Sequence, residues 1–174
     1  MIVNKEFINL EDAVNYIYEN ASNYAIEGVK ENIGGPFGAG IIEKINVDND
    51  IKYIVLNISR NEVIINKNPI QHAEVVAIEE ACKIKESCFL ENCILVSTAK
   101  SCPMCLSASI WAKIPVIYYS EDFAQASKSG FKDDDISEYI KGNNKTLIKQ
   151  INMSSSFCAL PFEAWNNKEK KIQY

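Results

Sequence analysis

The sequence predicts a single α/β domain, and three observations carry that expectation. Strand-like and helix-like segments alternate through the middle of the chain, the pattern of parallel strand pairing with helices covering the sheet. The 174 residues amount to about one domain, long enough for a continuous core. Neither an internal repeat nor a low-complexity linker divides them.

The elements follow in order. Leu10 to Lys30 reads as an amphipathic helix, with Val14, Ile17, Tyr18, Ala21, Ala25 and Val29 recurring at three- and four-residue steps. Gly34-Gly35-Pro36 stops it. Phe37 to Asn46 and Ile51 to Arg60 read as strands joined by a turn at Val47-Asp48-Asn49-Asp50. Asn61 to Gln71 reads as a loop. A second helix starts near His72 and runs through Val75, Val76, Ile78, Ala81 and Cys82. Asn92 to Thr98 has the apolar run of a buried strand. Pro103 to Lys113 reads as a third helix, with proline at an early position where it is tolerated. Ile114 to Tyr119 is a further strand. Beyond Glu121 the expected elements are short helices at 122–127 and 136–141, a late strand at 146–153, and a C-terminal helix opened by Pro161.

Composition narrows the function. A net charge of −5 with no basic block disfavours a polynucleotide partner, which needs clustered Lys and Arg against phosphates. Lys168, Lys170 and Lys171 are interrupted by Glu169 and read as a solvated helix end. A small-molecule substrate is favoured. No run approaches the roughly 20 apolar residues of a membrane span, and the first residues lack a signal-peptide pattern, so a cytoplasmic location is expected. Six cysteines in a chain this long do not demand a disulfide framework. Cys82, Cys88, Cys93 and Cys158 read as reduced thiols.

The chemistry concentrates in His72-Ala73-Glu74 and Cys102-Pro103-Met104-Cys105. One imidazole and two thiolates offer zinc three protein ligands and leave a fourth position open, the mark of a catalytic site. Glu74 is placed to move protons. Cys102 and Cys105, one helical turn apart, share a face, and a helix N-terminus favours thiolate over thiol. Glu74 would be rotated about 200° from His72 on an ideal helix. Both therefore serve one site only if the metal lies off the helix end, with two helix N-termini converging at one edge of the sheet. Read alone, Cys-Pro-Met-Cys equally suits a thiol redox pair, His72 an ordinary hydrogen-bonded histidine, and Glu74 a surface carboxylate. Their joint occurrence favours zinc.

These residues resemble the zinc deaminase signature and hence the cytidine-deaminase-like superfamily. More closely, over almost the full chain, the sequence resembles the compact bacterial-type guanine deaminases. Gly34-Gly35-Pro36-Phe37-Gly38-Ala39, Ile110-Trp111-Ala112, Gly130-Phe131-Lys132-Asp133 and Pro161-Phe162-Glu163-Ala164-Trp165, with the terminal Tyr174, carry that resemblance. It implies a three-layer α/β/α domain spanning residues 1–174, with a mixed five-stranded sheet and helices on both faces. The implied activity is zinc-dependent hydrolytic deamination of a purine base, guanine to xanthine plus ammonia. The implied roles are Glu74 as proton carrier, His72, Cys102 and Cys105 as Zn2+ ligands, and Phe37, Asn61, Ala73, Asp133 and Tyr174 as substrate contacts. A homodimer that exchanges a C-terminal segment, about 155–174, is implied too.

Taken by their residues alone, Phe37 and Trp111 suit the core as well as a ring contact. Asn61 also suits a turn, and Asp133 a solvated cap. Lys100-Ser101 departs from the Glu-Pro that the family carries before its first metal cysteine, and proline would fix that backbone where serine does not. Three alternatives stay open on this sequence: deamination of another base or nucleoside, including adenosine in tRNA; a non-catalytic zinc-binding subunit; and a thiol redox protein.

Overall fold

The computed structural model describes residues 1–48, 50–143, 148, 151, 153, 158, 160–167 and 169–170. Its strands are β1 (Ile2–Phe7), β2 (Gly38–Val47), β3 (Asp50–Arg60), β4 (Cys93–Ala99) and β5 (Val116–Glu121). Its helices are α1 (Leu10–Lys30), α2 (Ala73–Lys85), α3 (Pro103–Trp111), α4 (Phe123–Lys128), α5 (Asp133–Ile140) and α6 (Leu160–Asn167). The sheet is five-stranded and mixed, in the order β1-β3-β2-β4-β5.

The alternation of strands and helices gives one parallel pair, β4 with β5. The expected direct parallel pairing on the other side of β4 does not form. The tight turn between β2 and β3 folds them into an antiparallel hairpin, and β2 then pairs antiparallel with β4 as well. Strands β3 and β4 therefore point the same way with β2 between them, so the segments leaving both emerge at one edge.

Two cores sandwich the sheet. Ala13, Val14, Ile17 and Ala21 of α1 pack on Ile42, Val55, Ile58, Ile94 and Val96. Ala73, Ala77, Ile78 and Ala81 of α2 pack on Ile41, Leu56 and Leu95, with Ala112 and Ile114 beyond α3. Successive strand residues point to opposite faces, so Leu95 serves one core while Ile94 and Val96 serve the other. Val29 of α1, expected on the apolar stripe, is exposed; Gly28 is buried in its place against Arg60. Leu95→Ala is expected to cost about 2–5 kcal/mol, because Leu95 is fully buried at the sheet centre and neighbouring strands cannot close the void. Chemical denaturation measures this.

The fifth strand is not the one expected from residues 146–153. Ile148, Ile151 and Met153 lie in no strand, and the rest of that segment falls outside the described residues. The N-terminus supplies β1 instead, paired antiparallel with the exposed edge of β3 through an irregular register between Ile2 and Lys5.

Candidate active site

The expected convergence of two helix N-termini occurs at the edge where β3 and β4 end. His72 is the N-cap of α2, with extended backbone at φ −68° and ψ 153°. Cys102 is the N-cap of α3, at φ −65° and ψ 166°. An N-cap side chain ordinarily accepts a hydrogen bond from the first turn; neither of these does. Their extended backbones instead free both side chains to point off the helix ends. That is how His72 and Glu74 address one point despite their angular separation along an ideal helix.

His72 Nδ1 lies 3.7 Å from Cys102 Sγ and 3.6 Å from Cys105 Sγ, and the two sulfurs are 3.5 Å apart. Tetrahedral zinc, with bonds near 2.3 Å to sulfur and 2.0–2.1 Å to nitrogen, needs ligand separations of about 3.5–3.8 Å. The three donors fit such an ion. A disulfide would hold the sulfurs about 2.05 Å apart, and both thiols are free. The imidazole converging on the pair is what the redox reading leaves unexplained.

The contact between the two sulfurs, aided by His72, lowers the Cys102 pKa to about 4. The same contact raises the Cys105 pKa. His72 is raised, mainly by its hydrogen bond to Cys102. Glu74 is almost fully buried, and burial pushes its carboxyl above the usual range.

A cavity of about 240 Å³ opens over this corner, with His72, Cys102 and Glu74 in its wall. Its volume falls below the roughly 300 Å³ at which drug-sized pockets begin, so it suits one small heterocycle. Phe37, Asn61 and Asp133 line it, as do Gly35, Val63, Ile64, Pro69, Lys100 and Phe131. Asn61 is buried and held rigidly: its N–H donates to Phe37 O, while its Oδ1 accepts from Gly35 N and Val63 N. With the carbonyl oxygen engaged, the amide Nδ2 is the group left to donate. Gly34 makes this possible, because a Cβ there would sit 2.1 Å from Asn61 O and 2.4 Å from its Oδ1. Asp133, first residue of α5, is partly buried and its pKa is raised by that burial.

Some expected positions differ. The Ala73 methyl is fully buried in the core with Ala77 and Ile41, not among the cavity-lining side chains. Trp111 is not in the core and does not line the cavity; it is 68% exposed, because α3 turns Cys105 and Ser109 inward and leaves Ile110 and Trp111 outside. Tyr174 lies outside the described residues.

Lys100 lines the cavity, yet its Nζ pairs with Asp122 at 3.3 Å and lies 4.8 Å from the Phe123 ring centre. Asp122 therefore offsets the charge this lysine brings to the metal loop. Ser101 Oγ is buried with no hydrogen-bond partner among the described residues. A proline there would have no such group to bury.

Residues 13–121 match the model of the cytidine and deoxycytidylate deaminase zinc-binding region. The chain belongs to the cytidine and deoxycytidylate deaminase family. As a member it is a hydrolytic deaminase. The guanine deaminase of Bacillus subtilis is 34% identical over 157 residues, covering 90% of this chain and 96% of that protein. The X-ray structure of the Bacillus subtilis guanine deaminase superposes with a TM-score of 0.79 at 33% identity, over 92% of this chain and 98% of that one. A tRNA-specific adenosine deaminase of Aquifex aeolicus is 35% identical over 66 residues, only 38% of this chain and 44% of that protein. The matched residues contain both α2 and α3, while Val63, Ile64 and Pro69 are cavity residues that no sequence motif marks.

Proposed function

We propose that this protein is a zinc-dependent purine-base deaminase whose substrate is guanine, releasing xanthine and ammonia. The similarity to a guanine deaminase along nearly the whole chain supports this reading, where the adenosine-deaminase likeness spans about a third of it. The small cavity, with ligand donors at one end and Asn61 and Asp133 elsewhere in its wall, agrees with a free base as substrate.

His72, Cys102 and Cys105 would hold the ion. When bound, zinc supplies Lewis acidity that makes water nucleophilic near neutral pH. Glu74 takes one proton from the attacking water and passes it to the ring nitrogen. It then takes the second from the hydroxyl that water leaves on the substrate carbon and passes it to the departing amine as the C–N bond breaks. Its burial beside the ligands keeps bulk water from competing for that proton. Asn61 donates from Nδ2 to an acceptor on the purine, and Asp133 accepts from its N–H edge. Phe37 faces the ring. Ala73, with its methyl in the core, would contribute only main-chain atoms. Tyr174 would close the pocket, from a C-terminal segment of about residues 155–174 exchanged within a homodimer in the cytoplasm.

Ammonia release from guanine, guanosine, adenine, cytosine and cytidine by zinc-loaded protein tests the reading. Turnover is expected with guanine and not with the nucleosides. Turnover confined to cytosine or to a nucleoside would remove guanine as substrate while leaving the deaminase chemistry in place.

A further inference from the structure

Two cavities meet at one aromatic pair. The ring centres of Phe37 and Phe131 are 4.7 Å apart at an interplanar angle of 80°, an edge-to-face contact. Both rings line the candidate active cavity, and both also line a second cavity of about 380 Å³. The pair is the partition between them. Gly35 is fitted to it, since a Cβ there would lie 3.2 Å from both Phe131 Cζ and Phe37 Cδ2.

Phe131 is placed by local backbone chemistry. Helix α4 ends in a Schellman turn: Phe131 N–H donates to Ala126 O and Gly130 N–H donates to Ser127 O. Gly130 takes the left-handed position at φ 90°, which a side chain would strain. The apolar contact that accompanies such turns is supplied by Ala126, which lines the second cavity with Phe131. One helix end therefore aims one ring at the purine pocket.

The second cavity differs in chemistry from the first. Ser22, Ser120, Ser129, Gln125 and Glu121 line it, a set of hydroxyl, amide and carboxylate groups suited to a polyhydroxyl group. We propose that Phe131 is a specificity-determining residue: its ring excludes nucleosides, and removing it opens the active cavity into a compartment that accepts a sugar. This rests on the purine-base reading.

The test replaces Phe131 in the full-length, zinc-loaded protein and measures kcat and KM for guanine and guanosine. Phe131→Ala is expected to raise the guanosine-to-guanine ratio of kcat/KM on the order of tenfold or more, in the range that pocket shape commands. Guanine KM should rise more than its kcat falls, because the lost wall binds the base without moving protons. Phe131→Tyr should keep the parent ratio. Should Phe131→Ala not fold, Phe131→Leu, which keeps an apolar contact for Ala126, must show the same shift. Calorimetric binding of base and nucleoside reads the ratio independently of turnover. Equal losses for both ligands, in rate and binding, would overturn the proposal. If the parent acts on a different free base, guanine fails as substrate and that base with its nucleoside tests Phe131 instead. A parent that prefers nucleosides overturns both.

Discussion

Glu74→Gln is expected to reduce turnover at least 10²- to 10⁴-fold, the range that a positioned general acid–base contributes. The upper end applies, because one carboxylate serves every proton transfer proposed here, and glutamine can neither take up nor release the proton. Two further measurements separate this loss from unfolding. Zinc content should stay at the parent level, since the ligand cluster consists of His72, Cys102 and Cys105 without Glu74. The melting temperature of the metal-free variant should hold or rise. Burial raises the folded-state pKa of Glu74, so its contribution to stability is present at low pH and lost as pH rises through the folded value. Burial penalises the ionised form of this side chain, and a neutral amide carries no such penalty. Turnover within about tenfold of the parent would place proton transfer on another group.

The second large effect concerns the metal. Cys105→Ala is expected to abolish zinc retention and turnover together, because Cys105 is fully buried and the His72–Cys102 pair alone offers two donors. Chelating the parent should have the same consequence for activity. An ion held at about a thousandfold above its Kd stabilises the fold by about 4 kcal/mol, roughly a 10 °C change in melting temperature for a chain of this size. The parent should lose that increment on chelation and the variant should show no response. Both thiols must be deprotonated to bind, so zinc affinity in the parent should fall as pH falls. Elemental analysis and thermal denaturation with and without chelator read all of this. A variant that keeps stoichiometric zinc would exclude Cys105 as a ligand.

These residues are legible in the sequence because their chemistry is tied to residue type and short spacing. Cys102 and Cys105 sit one turn apart at a helix start, and few environments want two thiolates together with the chain's only imidazole. The rest of the pocket is written in ordinary residues. Val63, Ile64 and Pro69 arrive on a loop, and Phe131 depends on where α4 stops. Nothing local distinguishes Val63, Ile64 and Pro69 from surface or core positions, and the segment Gly130-Phe131-Lys132-Asp133 is marked only by its resemblance, not by a chemistry of its own.

The fold divides in the same way. Helices α1 to α3 and strands β2 to β5 follow from periodicity within a few residues of their ends. Strand β1 does not, because Asn4 takes a left-handed φ of 53° and Lys5 and Glu6 break any apolar alternation. Its place is decided by the open edge of β3, a tertiary circumstance. The β3–β4 relationship is equally non-local. Periodicity and the turn at 47–50 mark the two strands of the hairpin, but not that β2 lies between β3 and β4.

One consequence follows from His72 standing at the N-cap of α2 beside both cysteines. Because the chain contains a single histidine, any imidazole resonance in a magnetic-resonance spectrum reports on that corner without isotope editing or assignment. Titrating metal or a purine into the protein can thus be followed on one ring signal.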